Sequence, residues 1–352
     1  MKKMILHIIL VLGLFISLAS CERRPLLEGS GKAKVRVVLK VKAVANVTTG
    51  FYNEHIPVPK ISPEIIRVMF YDSDTKKVVS QGFISNKGVD DEGYEYLEGD
   101  IIVKPGQYDM VCYNFDTSTT LVKDEVDINT IEAYTSEISE YYYSRFSARS
   151  ENLLPSIYYE PDHLVVAKEE GIIVHAKDEL VLIHADAYTV VDTYYIQVRL
   201  VNGEYASDAV AVLTDLVPSN KFGLEERKNN EYSGTFFEMH RSTDPRIRAN
   251  NQEVLCAVFN TFGKRPDEIE PSVESQLYVT FNVITVDGRK VEMTVDMDEV
   301  FRTREAIENH WLLIDKEFVI PKPDNPSPPP GGQNMFNPEM EEWEQENGYI
   351  EL

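Results

Sequence analysis

Alternation of apolar and polar side chains runs through most of the chain. In "KAKVRVVLKVKAV", Lys32 to Val44, the side chains of Val35, Val37, Leu39 and Val41 point one way and Lys34, Arg36, Lys40 and Lys42 the other, the pattern of a half-buried strand. The basic outer row reads as protection of an exposed strand edge, with contact to lipid head groups or an acidic partner as the other reading. The same period predicts strands over Ile65–Tyr71 and Lys77–Phe83, joined by the turn-forming Asp72–Thr75, and over Tyr94–Val103. Further strands are expected over Glu179–His184, Thr193–Val201, Ala209–Leu216, Tyr232–Phe237, Glu253–Phe259, Leu277–Thr285, Lys290–Val295 and Trp311–Ile320, with Asn202-Gly203 and Asp287-Gly288 as the sharpest hairpin signals. Helical spacing is scarce. Ile131, Tyr134, Ile138, Tyr141 and Tyr142, with Thr130 as a cap, predict a short helix between domains, and Met297–Asn309 predicts another. Short strands separated by polar turns indicate a sandwich or barrel.

The first residues break this pattern. Lys2 and Lys3 precede an apolar run, Met4 to Leu18, that matches the charged and hydrophobic regions of a secretory signal and is shorter than the roughly 20 residues of a spanning helix. Ala19, Ser20 and Cys21 follow at once, and Leu-Ala-Ser-Cys resembles the bacterial lipobox, in which the thiol receives a diacylglycerol before cleavage on its amino side. That chemistry needs a thiol at the membrane face and small flanking side chains that fit a peptidase. A chance cysteine behind an ordinary cleavage site is the alternative. Lipidation of Cys21 after removal of residues 1–20 would give an anchored soluble body, since no later run of 18 or more apolar residues exists.

Without residues 1–20 the chain has 33 basic and 58 acidic side chains, a formal charge of −25. Nucleic acid is thereby excluded as a partner class, and an acyl group rather than charge must hold such a protein at a membrane. Cys112 and Cys256 lie in different halves of the chain, so two thiols behaving as small hydrophobes are expected rather than a disulfide. No H-E-x-x-H, G-x-S-x-G or P-loop occurs; His175 and His184 lie on separate strand candidates, and Asp296, Asp298 and Glu299 lack the spacing of a calcium loop. A carboxylate pair of glycosidase type stays open on spacing alone. The expectation is a non-enzymatic protein without cofactor or metal.

"VKPGQYDMVCYNF", Val103 to Phe115, places a bend at Pro105-Gly106, where proline fixes φ and glycine is expected to supply a positive φ, ahead of a strand opening with Tyr108. Pro-Gly-x-Tyr followed by an apolar strand ending in "YN" resembles the first domain of fimbrillin-like surface lipoproteins of the Bacteroidetes type. "PDHLVV", from Pro161, and "YYIQVRLVNGEYASDAVAVLTDL", from Tyr194, resemble the entry and core of the second domain in the anchor and accessory group of that family. The resemblance implies two tandem transthyretin-like β-sandwiches of Greek-key type with short helical insertions, and a role as a fimbrial anchor or accessory adhesion subunit. Main subunits of the family are cleaved after an arginine to open a groove for a donated strand; Arg36 and Arg67 are available here, but neither stands in a loop built for cleavage.

The expected division is a signal peptide (1–20), a linker (21–31), an N-terminal sandwich (32–150), a C-terminal sandwich (151–320), and a proline-rich spacer with an acidic tail (321–352). In the tail, Phe336, Trp343, Tyr349 and Ile350 are unusually apolar for an acidic solvated segment; a helical turn beginning at Asn337-Pro338, strand addition to another chain, and a disordered tail are all open. Tyr141, Tyr142 and Tyr143 form a second tentative contact site, for protein or carbohydrate, unless they pack internally. The expected protein is held in the outer membrane by lipid on Cys21, faces the cell surface, and takes a fimbrial subunit's strand, with host proteins or glycans as further partners. A glycan-binding surface lipoprotein of a polysaccharide-uptake system is the alternative.

Overall fold

The computed structural model describes residues 32–48, 59–147, 156–176, 179–224, 226–227, 233–242, 253–264 and 277–323, and these are predominantly β, in sandwich-like layers. In the first half of the chain, β1 (Ala33–Val41), β2 (Ile66–Asp72), β3 (Val78–Ile84), β4 (Asn86–Val89), β5 (Glu95–Val103) and β6 (Gly106–Asn114) are followed by the short β7 (Leu121–Lys123) and β8 (Glu132–Tyr134), helix α1 (Glu140–Ser144) and β9 (Ser156–Tyr159). Then come β10 (Val165–Val174) and β11 (Leu180–Thr189). The strand order β3-β2-β6-β10-β11-β1-β5-β4 forms two four-stranded halves, joined only where Val165 and Val166 of β10 pair with Thr189 and Tyr188 of β11. Their inner faces share one core, with Val35, Val37 and Leu39 opposite Val68, Phe70 and Met110. Residues 151–320, expected as one unit, thus contribute β10 and β11 to this first body.

The predicted strands over residues 65–103 form close to their expected limits. Three local expectations are corrected. β1 is no edge: it lies between β11, parallel, and β5, antiparallel, and its basic row is matched by acids on neighbouring elements. Arg36 forks onto Asp100 at 2.7 and 3.0 Å, Lys40 meets Asp90 at 2.5 Å, and Lys42 meets Asp186 at 2.5 Å. Gly106 does not adopt the positive φ expected of it. The Tyr108 hydroxyl reaches back to donate to the Lys104 carbonyl at 2.9 Å, and a Cβ on Gly106 would lie 2.7 Å from that hydroxyl oxygen, so glycine is needed for clearance under the ring. The helix expected around Ile131 is α1, which starts behind Ser139, whose hydroxyl accepts from the Tyr142 amide, while residues 132–134 form β8. Thr130 instead donates to the carbonyls of Asp124 and Asp127, closing a turn.

The second body is a sandwich. β12 (Asp192–Val201) leads through a 3-10 turn into β13 (Ala206–Leu216), followed by β14 (Ser219–Lys221), β15 (Glu226–Arg227), β16 (Ser233–Glu238), β17 (His240–Ser242), β18 (Glu253–Thr261), β19 (Tyr278–Thr285) and β20 (Lys290–Asp296). Two short helices, α2 (Asp298–Phe301) and α3 (Arg304–Asn309), stand where one was expected, and β21 (Trp311–Val319) ends the described chain. Sheets β17-β18-β12-β21 and β20-β19-β13-β16-β9 enclose Ile196, Val198, Leu213, Phe259 and Phe281. Asp287-Gly288 does form the β19–β20 hairpin, with Gly288 at φ 80°. Asn202-Gly203 does not form a hairpin. Asn202 takes the left-handed conformation at φ 60°, yet β12 and β13 belong to opposite sheets, so the turn carries the chain across the sandwich.

A third hydrophobic cluster joins the two bodies. Tyr71 and Tyr113, on the outer face of β2 and β6, pack with Ile131 and Val191 against Val217, Phe222 and Phe262. Tyr113 meets Phe222 edge-on at 5.5 Å. Beyond β1 the chain docks on the second body: Asn46 accepts the Thr193 amide at 2.7 Å, and Trp311 donates its indole N–H to the Thr48 carbonyl at 2.8 Å. Only Val190 and Val191 separate β11 from β12, and β21 runs parallel to β12. The start of β1 and the end of β21 therefore lie at opposite ends of the molecule.

Glu160 and His163 sit at this junction. The Glu160 carboxylate accepts the Asn260 amide at 3.0 Å, but burial dominates and pushes its carboxyl up to about 7. His163 lies 3.1 Å from the Thr189 hydroxyl and 3.3 Å from that of Thr193, and burial pulls it down to about 4 against the pull of Asp162. The raised carboxyl favours the folded state fully below its unfolded value and less as pH climbs towards 7; the depressed imidazole favours it above 6.5 and less as pH falls towards 4. Glu160→Gln is expected to be nearly neutral at pH 5 and stabilising by about 1–2 kcal/mol at pH 8, discounted because part of the side chain still meets water; urea denaturation at both pH values checks it. Phe222→Ala is expected to cost about 3–5 kcal/mol and to split a single calorimetric unfolding transition into two, one for each body.

Candidate functional site

The first body is open along one line. Beyond Val166, β10 pairs only with β6, and below Tyr188, β11 pairs only with β1, so two unpaired strand edges face each other across a widening seam. The cause is local to β10. Its register against β6 slips between Glu169 and Ile172, where Gly171 adopts φ 68°, and such a bulge bends a strand away from its neighbour. Asp109 pins the bulge by accepting the Gly171 amide at 3.1 Å, the Ser73 hydroxyl at 3.1 Å and the Lys76 ammonium at 2.7 Å. Burial alone would raise the Asp109 carboxyl, yet these partners together hold it below its ordinary range. Ile172 and Val181, packed against the core but not sealed from solvent, border the gap.

At the closed end of the seam lies a cleft of about 770 Å³, bordered by Lys168, Glu169, His184, Asp186, Tyr188 and Asn220. Asn220 comes from β14, beyond the junction, and is 6 % exposed. Its amide N–H points to the Val190 carbonyl at 3.4 Å, which fixes its orientation, and its side-chain oxygen has no hydrogen-bond partner. Chemically, the seam offers main-chain hydrogen bonds along two edges and apolar contacts between them, which is what recognition of an extended chain requires.

The residues singled out from the sequence fall elsewhere. Tyr142 packs edge-on against Phe146 at 5.6 Å and Phe236 at 5.9 Å, and the Tyr143 hydroxyl accepts from the Asn282 amide at 3.4 Å, so both help to hold α1 on the β13–β16 face. Tyr141 alone projects, at 82 % exposure. Cys21, Phe336, Trp343, Tyr349 and Ile350 lie outside the described residues. Cys112 and Cys256 are free thiols; burial pushes the Cys112 thiol far up and that of Cys256 up to about 11. Arg36 and Arg67 both lie within strands, Arg67 flanked by the Phe83 and Phe115 rings and paired with Glu125 at 3.0 Å. Among the described residues no cluster of three His, Cys, Asp or Glu side chains is placed to hold a metal, and no helix is long and apolar enough to cross a membrane. The seam was missed in the sequence. Its available signals were Gly171 interrupting a strand pattern and the unbroken apolar run Leu180–Ile183.

Known proteins are similar to this chain. A Bacteroides ovatus protein named "Putative fimbrium anchoring subunit Fim4B" is 23% identical over 346 residues, covering 93% of this chain and 92% of that protein. Among solved structures, a Bacteroides ovatus protein described as a "putative adhesin" superposes with a TM-score of 0.55 at 19% identity, over 88% of this chain and 99% of that one. The fimbrial anchor protein Mfa2 from Porphyromonas gingivalis gives 0.44 at 12% identity, over 82% of this chain and 91% of that one. The expected resemblance to fimbrial anchor and adhesin proteins of the Bacteroidetes is thus present over nearly the whole length. The family described as a domain of unknown function, DUF5119, matches residues 20–238, well over half of the sequence, and the chain belongs to that family.

Proposed function

We propose that this protein is an anchor or accessory subunit of a cell-surface fimbria, held in the outer membrane by acylated Cys21, which grips a fimbrial subunit by accepting an extended segment of it between β10 and β11. It acts by holding a partner rather than by catalysis. Its two bodies are read as tandem transthyretin-like sandwiches. The similarity to a named fimbrium anchoring subunit supports the biological setting, and the facing unpaired edges of β10 and β11 carry the mechanism. A strand placed there runs parallel to one edge and antiparallel to the other and places alternate side chains towards Ile172 and Val181.

The tail is the second part of the reading. It follows Ile320, whose amide bonds to the Val201 carbonyl, and Arg289 holds the start of the spacer by donating to the Lys322 carbonyl at 2.9 Å. Phe336, Trp343, Tyr349 and Ile350 follow in the sequence beyond that spacer, and as apolar side chains in an acidic stretch they are suited to being offered to the edge of another subunit.

A photo-reactive amino acid at Lys168 or at His184 is expected to capture a polymerising subunit in cells, and the same group at Val319, exposed in the second body, to capture none. Equal capture at all three positions, or none from the cleft, would sink the seam as the receiving site. Truncation at Pro321 is expected to leave that capture intact while reducing subunit co-purification.

A further inference from the structure

We infer that the end of the first body remote from the second is a membrane-contact surface, a collar of apolar side chains that rests on the bilayer interface beside the acyl anchor. The inference rests on the anchored reading above but on different residues. Val79, Ile102, Ile173, Leu180 and Leu182 are each 52–56% exposed. All five belong to strand ends at the same extremity. On the outer surface Leu180, Lys34 and Ile102 stand side by side across β11, β1 and β5. Leu182 is the next outward residue of β11, opposite Arg36. Ser80, beside Val79, donates its hydroxyl to the Ile102 carbonyl at 3.0 Å, and Ile173 pairs with Gln107 at the start of β6. Soluble surfaces scatter such residues singly; five around one end form a feature with a use.

The occupant follows from where the chain enters. β1 begins at Ala33 on this same end, and only eleven residues lie between Cys21 and Ala33, a reach of about 40 Å when fully extended. An acyl chain on Cys21 would therefore keep this end of the body close to the lipid surface. Lys32 and Lys104 are exposed at the same end, as expected of side chains that extend to the head-group level from an apolar collar, while Lys34 is paired with Asp100 at 2.8 Å. A protein with a large negative charge has little electrostatic attraction to anionic lipid, so the contact must draw on apolar area. It need not be strong. Tethering raises the local concentration to the millimolar range, at which a weak contact suffices to orient the body and point the second domain outward.

The test uses the mature chain carrying Cys21→Ser, with no acyl group, and zwitterionic phosphatidylcholine vesicles in a co-sedimentation assay. Measurable partitioning at millimolar lipid is expected, with a drop of about tenfold or more in Leu180→Asp/Leu182→Asp, because the variant replaces two half-exposed apolar side chains of the collar by charges. Val319→Asp, equally exposed at the opposite end, should leave it unchanged. If the double variant melts early, Ile102→Ser/Ile173→Ser must reproduce the loss. Failure of the Cys21→Ser chain to partition at millimolar lipid, or partitioning indifferent to the collar variants, would overturn the inference. So would a dimer in sedimentation analysis that the same variants dissociate, because the face would then belong to a second copy. Mass spectrometry of the amino terminus tests acylation separately, so loss of the anchored reading and loss of the collar are told apart.

Discussion

The packing of Tyr71 and Tyr113 against Phe222 and Phe262 is the contact on which the rest of the structure depends. β2 and β6 bury both faces: one lines the core of the first body, and the other is covered partly by Ile128, Ile131 and Ala133 and partly by Val191, Val217, Phe222 and Phe262 from beyond residue 190. Covering that second face welds the two bodies together. It also fixes the apex of the seam, because Val166, one of the two residues with which β10 still touches β11, belongs to the same cluster. Asn220 reaches the cleft only because the segment carrying it is held there. The seam is therefore a by-product of the junction, and its shape is as stiff as that hydrophobic contact.

Much of this fold was legible in the sequence, for a physical reason. Strands half in water must alternate, and β1, β5 and β18 do so. What stayed hidden was which edge meets which. Lys34, Arg36, Lys40 and Lys42 look the same on an edge strand as on a central one whose neighbours supply Asp100, Asp90 and Asp186 at matching positions; the pairing is non-local, and spacing within β1 carries no trace of it. Asn202-Gly203 has hairpin chemistry, and the left-handed turn does form, but the core draws β13 to the opposite sheet. Helical spacing from Ile131 to Tyr142 arose because successive short elements each bury one or two residues in different clusters.

The candidate site was less legible than the fold, since it consists of pairings that are not made. No residue type marks an unpaired edge. Gly171 and the run Leu180–Ile183 become informative only once β10 and β11 are seen to part. The tyrosines of α1 illustrate the converse: a conspicuous run, Tyr141 to Tyr143, spends two of its three rings on holding a short helix against β13 and β16. The charge of the chain behaves similarly, for a large negative total coexists with local neutralisation along β1.

One further consequence concerns force. The amino-terminal strand is central, bonded along eight register pairs to β11 on one side and eight to β5 on the other, and the last described strand lies parallel to β12 along seven. With the start of β1 and the end of β21 at opposite ends, tension applied between those two points would act along these strands. Their hydrogen bonds would then be loaded in shear, many at once, rather than peeled apart one by one. Withdrawing either terminal strand requires a cooperative rupture, and a protein strung between a surface and a fibre is best served by that order of events.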